Sequence, residues 1–216
     1  MKNASPSSAL ESRRKAIRRV RSTLSQWTGV LTALAGLSVA RASLADHYVV
    51  PTGSMEPTVR IGDHILVNKA AYGLRVPFTS FWLSTVHAPD RGSVVVVDPP
   101  EPGPVLLKRV IGLPGDLIEV RAGRLTINGN PVVVRRERAA ELEMEYLGRP
   151  HEIRLDYAGG PDFGPSRVPT GKLLVLGDNR GNSRDGRYFG YLDLAALRGR
   201  ALAVYARSGS LTWQPL

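Results

Sequence analysis

Short apolar runs separated by glycine, proline and polar residues fill the chain from about residue 59 to residue 205. Apolar runs of about four to eight residues between turn signals are typical of buried strands. Asn128-Gly129, between two such runs, is a strong signal for a tight hairpin. The pattern therefore predicts a mainly β domain. The predicted strands lie within Val59–Lys69 and at Val94–Val97, Val105–Ile111, Leu117–Val120, Arg124–Ile127, Leu173–Leu176 and Leu197–Tyr205.

A longer apolar stretch near the N-terminus has the length of a membrane span. It runs from Trp27 to Ala45 with Arg41 as its single charge, and its 19 residues give roughly 28 Å of helix. We predict a transmembrane anchor over residues 27–45. A cleavable secretory signal, with a small-residue site at 40–42 or 43–45, is the main alternative, and a buried helix is a third. The first two interpretations both place the following residues outside the cytoplasm.

The positive charge of the chain is concentrated before this apolar stretch. Residues 1–22 hold seven basic side chains and one acid, so +6 of the net charge of +10 lies there. A basic tail before an apolar span is the pattern that keeps a tail in the cytoplasm, although nucleic-acid binding is a competing interpretation. The predicted organisation is a basic cytoplasmic tail (1–26), the anchor (27–45) and an extracytoplasmic β-rich domain (46–216).

Two further segments differ from the strand pattern. Residues 130–167 combine charged clusters with Gly-Pro loops, which predicts a small inserted accessory region rather than a site. Residues 76–83 hold several large apolar side chains around a proline. They are interpreted either as core or as a loop that dips into the membrane interface.

The composition excludes several kinds of chemistry. With no cysteine, the chain has no disulfides, no thiol catalysis and no cysteine-based zinc site. The four histidines are scattered without metal-ligand spacing, so neither a metal nor a cofactor is expected. They are His47, His64, His87 and His151.

The residues Pro51-Thr52-Gly53-Ser54-Met55-Glu56-Pro57-Thr58 predict a shaped loop that presents Ser54. Glycine permits unusual backbone angles, and each flanking proline removes a donor and fixes φ. A serine nucleophile needs a base, and no histidine lies in this run. A surface turn that merely contains a serine is the alternative.

Lys108 is the candidate base, because apolar residues flank it on both sides in a predicted strand. A lysine near its usual pKa of about 10.4 is almost entirely charged at neutral pH. Burial among apolar side chains lowers a lysine pKa by up to ~3–5 units, which makes the neutral amine available. An edge-strand lysine with an exposed tip is the alternative.

Four ordered stretches resemble the sequence boxes of bacterial type I signal peptidases. They are the Ser54 loop, Gly62 to Lys69, Lys108-Arg109-Val110-Ile111-Gly112-Leu113-Pro114-Gly115-Asp116, and Gly177-Asp178-Asn179-Arg180 through Arg187. They follow an apolar segment in the family's order. The resemblance implies a membrane-bound serine endopeptidase of mainly β fold, which removes signal peptides from exported preproteins.

The resemblance also implies roles for individual residues. Ser54 matches the nucleophile and Lys108 the general base, with the Ser54 N–H and the Thr52 hydroxyl as oxyanion donors. Ser183 matches a serine that hydrogen-bonds and orients the lysine. Asp178 and Arg187 match residues that hold the shape of the site. Gly181 and Gly186 depart from the polar residues of many members, which predicts a looser loop.

The implied substrate is a signal peptide with small residues at positions −3 and −1. Such a peptide needs shallow apolar pockets, for which Met55 and Ile65 are the candidate linings, and a groove that accepts an extended strand. The implied partners are the lipid bilayer and the secretion translocon, without nucleic acid. The implied location is the bacterial plasma membrane, single-pass, with the catalytic domain outside the cytoplasm.

Three alternatives to a general signal peptidase stay open on the sequence. One is a pilin- or conjugation-linked processing peptidase with the same dyad and a narrow substrate range. Another is a catalytically silent, membrane-anchored domain that binds exported chains. The third is a self-cleaving Ser/Lys repressor, which the apolar anchor argues against.

Overall fold

The computed structural model describes residues 27–34, 36, 44–73, 84, 86–136 and 142–216. Residues 1–42 and 43–216 form two compact units. In the first unit, the described residues are helical. No helix within the described ranges is long and apolar enough to cross a membrane. The predicted tail, residues 35 and 37–43 of the predicted anchor and all of segment 76–83 lie outside the described residues.

The described part of the second unit is mainly β-structure, as predicted. Short 3₁₀ turns lie at Gly53–Met55, Lys69–Tyr72, Tyr157–Gly159 and Leu194–Ala196, and the one-turn helix α1 spans Gly186–Phe189. The strands are β1 (Ala45–Val49), β2 (His64–Asn68), β3 (Val94–Val97), β4 (Leu106–Gly112), β5 (Leu117–Arg121), β6 (Arg124–Ile127), β7 (Asn130–Pro131), β8 (Val134–Arg136), β9 (Leu142–Leu147), β10 (Arg149–Arg154), β11 (Phe163–Arg167), β12 (Lys172–Leu176), β13 (Leu192–Asp193), β14 (Leu197–Arg207) and β15 (Ser210–Pro215).

The strands form three antiparallel sheets. The largest has the order β1-β2-β14-β3-β4-β12-β13, with β15 paired to β14. A sheet of order β11-β5-β6-β7 and a three-stranded sheet of order β10-β9-β8 complete the described β-structure. β4 pairs with β3 from Leu106 to Arg109, and with β12 only from Arg109 onward. The first half of β4 is thus an open strand edge.

Strand β3 lies at the centre of the core. Val94 and Val96 pack into one apolar cluster, and Val95 and Val97 pack into a second cluster on the other face of the sheet. Side chains alternate between the faces of a strand, so a strand that is covered on both sides needs apolar residues at every position. This is why the run of four valines carries no alternation.

The predicted hairpin at Asn128-Gly129 is confirmed. Asn128 has φ 53° and Gly129 has φ 80°, and the turn joins β6 to β7. Two successive positive φ values are the geometry of a type I′ turn, in which Asn-Gly is strongly preferred. The predicted strands within Val59–Lys69 and from Val94 onward are confirmed as β2 to β6, β12 and β14, with ends shifted by at most a few residues.

The charged region after residue 130 holds strands that the sequence analysis did not predict. In β9 the buried side chains include Glu143 and Glu145, while Met144 between them is only half-buried. The inward face of this strand therefore carries carboxylates, so its pattern does not show the usual apolar alternation.

Candidate active site

Ser54 lies on a single 3₁₀ turn, Gly53–Met55, shortly after the end of β1. Thr52 precedes the turn in an extended conformation, with φ −134° and ψ 153°, and its side chain makes no capping hydrogen bond. Met55 is fully buried and fixes the turn to the core, while Ser54 itself is half-buried. The serine is thus presented at the surface of a cleft on a firmly packed turn.

Lys108 reaches Ser54 from the third position of β4. Its Nζ donates a hydrogen bond to Ser54 Oγ at 2.6 Å, and the residue is only 3% exposed. Burial lowers the pKa of Lys108 to about 8, although the charges of Asp185 and Asp178 raise it in part. An amine of this pKa is neutral in a useful fraction of molecules near neutral pH. In that form its lone pair can accept a proton from a neighbouring hydroxyl.

Asp178 is fully buried directly after β12, where it pairs with Arg109. Arg109 Nε and Nη2 donate to its two carboxylate oxygens at 2.8 and 2.6 Å, and the Thr58 hydroxyl donates to Oδ2 at 2.6 Å. The carboxylate thus joins the Ser54 loop to β4. Burial raises the pKa of Asp178, but Arg109 outweighs it, so the pKa lies below its usual value.

Asn179 holds the Ser54 turn from the other side. Its backbone N–H donates to Ser54 O at 3.1 Å, and its side-chain amide donates to Gly53 O at 3.3 Å. Both bonds go to main-chain oxygens next to the nucleophile. The loop after β12 therefore sets the position of Ser54 directly.

Arg187 and Asp185 form a second buried ion pair in the same loop, with Nε donating to Oδ1 at 2.9 Å. Arg187 also donates to Gly159 O and Arg180 O, each at 2.6 Å, while Asp185 Oδ2 accepts the N–H of Gly177 at 3.0 Å. Arg187 thus holds the loop together through main-chain oxygens and does not contact Ser54 or Lys108 itself.

The expected hydrogen bond between Ser183 and Lys108 is absent, so this prediction is corrected. The Ser183 hydroxyl is buried and makes no hydrogen bond with any residue that the structure describes. It packs against the main chain of Gly177, where an added methyl group would lie 2.4 Å from the hydroxyl oxygen. The Lys108 amine is instead directed at Ser54 Oγ.

The prediction that Gly181 and Gly186 loosen the loop is wrong. A methyl group on Gly181 would lie 1.6 Å from Asp156 O, and one on Gly186 would lie 2.6 Å from a Leu174 methyl carbon. Both positions exclude a side chain because other parts of the chain pack against them. The glycines therefore permit close packing of the loop.

An apolar cleft of about 300 Å³ adjoins Ser54 and Lys108. Met55 and Ile65, the two predicted lining residues, both border it. The cleft lies between the segment that leads from β1 to Ser54 and the open first half of β4. Its other walls are formed by Tyr48, Val49, Val50, Pro51, Thr52, Val96, Pro104, Val105, Leu106 and Leu107.

A third ion pair links this loop to the three-stranded sheet. Arg180 and Glu145 are fully buried, with a closest contact of 2.5 Å, and His151 Nε2 lies 3.2 Å from the same carboxylate. Burial raises the pKa of Glu145, but Arg180 and His151 lower it to a net value of about 2. Among the described residues, no group of three or more His, Asp or Glu side chains is placed to hold a metal ion.

Several residues of the site were not singled out from the sequence. Arg109, Asn179 and Asp185 lie inside the stretches that carry the resemblance, so their motif membership was the available signal. Glu145 lies outside those stretches. Its partner Arg180 is distant in sequence, so no local pattern pointed to it.

Comparisons with known proteins point to a single family. The family described as Signal peptidase, peptidase S26, matches residues 23–206. Signal peptidase I of Pseudomonas fluorescens is 42% identical over 164 residues, which cover 70% of this chain and 57% of that protein. Signal peptidase I of Leptolyngbya laminosa is 34% identical over 183 residues, covering 79% of this chain and 75% of that protein.

A crystal structure of a signal peptidase I from Enterococcus faecalis V583 matches at 29% identity with a TM-score of 0.37. The match covers 54% of this chain and 98% of that one. The present chain spans little more than half the length of the Pseudomonas fluorescens relative.

Proposed function

The chain belongs to the family of signal peptidases described as peptidase S26, and on that premise we propose that it removes signal peptides from exported preproteins. The observation that carries the proposal is the 2.6 Å contact between the buried Lys108 amine and Ser54 Oγ, at the end of an apolar cleft. The proposed enzyme is a membrane-bound serine endopeptidase that uses a Ser/Lys dyad.

In the proposed mechanism, neutral Lys108 takes the proton of Ser54 as Oγ attacks the carbonyl carbon of residue −1. The oxyanion of the tetrahedral intermediate accepts hydrogen bonds from the Ser54 N–H and the Thr52 hydroxyl. Lys108 then gives its proton to the leaving amine, which becomes the N-terminus of the mature protein. Water, deprotonated by the same amine, hydrolyses the acyl-enzyme.

The cleft supports the proposed substrate class. Its apolar lining, including Met55 and Ile65, suits the small side chains at −1 and −3 of a signal peptide. The open half of β4 offers main-chain donors and acceptors to an extended peptide, in the manner of strand addition. Asp178 and Arg187 keep the walls of the site in place through buried ion pairs.

The proposed location is the bacterial plasma membrane, with residues 27–45 as a single-pass anchor and residues 46–216 outside the cytoplasm. The basic residues before position 23 support this orientation, because cytoplasmic flanks of membrane spans are rich in Lys and Arg. The proposed partners are exported preproteins, the lipid bilayer and the secretion translocon, from which the substrates emerge.

The test is cleavage of a preprotein with an Ala-X-Ala site by the full-length protein in detergent, with Lys108→Ala and Ser54→Ala beside it. Wild type is expected to release the mature chain with a new N-terminus directly after the Ala-X-Ala sequence. Both variants are expected to be inactive because each lacks one member of the dyad. Equal cleavage by wild type and Lys108→Ala would exclude the proposed base.

A further inference from the structure

A second pocket of about 250 Å³ lies beside the apolar cleft, and the two share Pro104 and Leu106. Its walls are the proline-rich segment between β3 and β4, Arg184 of the loop after β12, and Phe189 of helix α1. We call it the proline-loop pocket. All of its walls come from described residues, and the mechanism proposed above does not use it.

The two pockets lie on opposite faces of strand β4. Val105 and Leu107 pack against the cluster that contains Met55 and Ile65, which borders the apolar cleft. Leu106 packs against the other cluster, together with Phe189, on the side of the proline-loop pocket. Strand alternation therefore directs neighbouring β4 side chains toward different pockets.

A peptide added to the open edge of β4 follows the same alternation. If its residues −1 and −3 face the apolar cleft, the side chain at −2 faces the side of Leu106. We propose that the proline-loop pocket receives the side chain at position −2 of the substrate. This inference rests on the proposed function, because it needs a peptide whose −1 carbonyl lies at Ser54.

The pocket combines an apolar base with a charged rim. Leu106, Phe189 and the prolines offer apolar contact to the stem of a long side chain. At the rim, Arg184 Nη2 lies 3.0 Å from Glu101 Oε2, and the two side chains are 71% and 70% exposed. An ion pair this exposed is weak, so a substrate charge can compete for either partner.

The pocket therefore favours a long side chain at position −2 of the substrate. Because the rim carries one positive and one negative side chain, it favours neither an acidic nor a basic residue at this position. Leucine at −2 is expected to give about three- to tenfold higher kcat/KM than glycine, because its apolar surface is partly buried. Removal of Glu101 leaves Arg184 free to bind an acidic side chain. Removal of Arg184 leaves Glu101 free to bind a basic one.

The test uses the full-length enzyme in detergent and preproteins with Ala-X-Ala sites in which X is Gly, Leu, Glu or Lys. Glu101→Ala is expected to raise the ratio of kcat/KM for Glu over Lys about two- to fivefold, and Arg184→Ala to lower it by a similar factor. Lys172→Ala and Asp193→Ala remove a comparable exposed ion pair that borders neither pocket, so they should leave the ratio unchanged. Phe189→Ala is expected to reduce the ratio of kcat/KM for Leu over Gly at −2. Its Tm is measured as well, to show that the variant is folded.

The inference is overturned if the two rim variants shift the Glu/Lys ratio in the same direction or not at all while the wild type cuts the panel. It is also overturned if cleavage by the wild type is the same for Gly and Leu at −2. In both cases the proposed function stands, because cleavage after Ala-X-Ala is still observed. If the wild type cuts no member of the panel, both the inference and the proposed function fail.

Discussion

Lys108 shows how one residue links packing to reactivity, because the burial that disfavours its charge also suits it to the proposed role of general base. At a pKa of about 8, the neutral amine makes up roughly one tenth of the molecules at pH 7. In the ordinary range near 10.4 it would make up less than a thousandth. The apolar environment of β4 thus raises the fraction of neutral amine by more than two orders of magnitude.

The pH dependence of kcat/KM follows from this pKa. Protonated Lys108 cannot accept the Ser54 proton, so kcat/KM is expected to rise about tenfold from pH 7 to pH 9 and to level off above a pKa of about 8. A pH profile with a substrate that has no group titrating in this range measures the effect. Lys108→Arg, which stays protonated, should be inactive throughout. A pH profile in which kcat/KM rises around pH 10.4 instead would contradict a buried Lys108 with a lowered pKa as the base.

Thr52 is expected to act on the transition state alone. Thr52 borders the cleft and its side chain is not used as a helix cap, so its hydroxyl is available to donate to an oxyanion. Thr52→Val keeps the shape and removes the donor, which should lower kcat about 10²- to 10³-fold with little change in KM. Steady-state kinetics beside Thr52→Ser, which keeps a hydroxyl, provide the measurement. A rise in KM at constant kcat would assign Thr52 to substrate binding instead.

At the scale of elements, strand β9 and the loop after β12 are joined by the Glu145–Arg180 pair. Glu145→Ala leaves the guanidinium buried without its partner, so the free energy of unfolding should fall by about 3–5 kcal/mol. The double variant Glu145→Leu with Arg180→Met removes both charges and should recover much of this loss. Urea unfolding of the three proteins gives the comparison. Equal losses in the single and double variants would show that packing, not charge, dominates.

The same pair gives a pH dependence with a definite sign. The pKa of Glu145 falls from its unfolded value of 4.5 to about 2 in the folded protein, so its contribution is complete above 4.5 and is lost as pH falls toward 2. The difference in stability between wild type and Glu145→Ala should therefore narrow across this window. A stability difference that stays constant between pH 4.5 and pH 2 would contradict the lowered pKa of Glu145.

Gly181 tests how the loop positions the nucleophile. A methyl group there overlaps Asp156 O, so Gly181→Ala must displace the loop, at an expected cost of about 1–3 kcal/mol in stability. Asn179, two residues away, carries both hydrogen bonds to the Ser54 turn, so kcat should fall as well. Thermal unfolding and kcat are compared with Gly29→Ala, a position with no neighbour within 4 Å. A Tm and a kcat of Gly181→Ala equal to those of the wild type would contradict the close contact between Gly181 and Asp156 O.

Local pattern predicted the central strands of the large sheet but not all of its edges. The valines of β3 and the Asn128-Gly129 turn carry strong local signals. Strand β1 merges in sequence with the apolar stretch before it, and β15 exposes Leu211 and Trp213, so neither shows a core pattern. The apolar flanks of Lys108 made it a candidate partner of Ser54, but at a sequence separation of 54 residues only the resemblance chose between this and an exposed lysine. The Arg109–Asp178 and Arg180–Glu145 pairs join residues that are far apart in the sequence, so no local pattern showed that they pair.

At the scale of the whole molecule, charge is distributed differently in the two compact units. Residues 1–42 carry +7, of which +6 lies within residues 1–22, whereas residues 43–216 carry only +3. The deeply buried arginines described above, Arg109, Arg180 and Arg187, each pair with a carboxylate. The excess positive charge therefore belongs to the N-terminal tail and not to the site. This division supports separate roles for the two units.

A truncated protein tests that division. All the residues of the proposed site, together with the three sheets, lie within the unit of residues 43–216. A protein that begins at residue 43 should therefore unfold at nearly the full-length Tm and cleave a short soluble Ala-X-Ala peptide within about twofold of the full-length rate. Its rate on a preprotein held in lipid vesicles should fall much further, because the anchor no longer concentrates enzyme and substrate on one surface. Equal losses on both substrates would show that residues 1–42 support the catalytic unit itself.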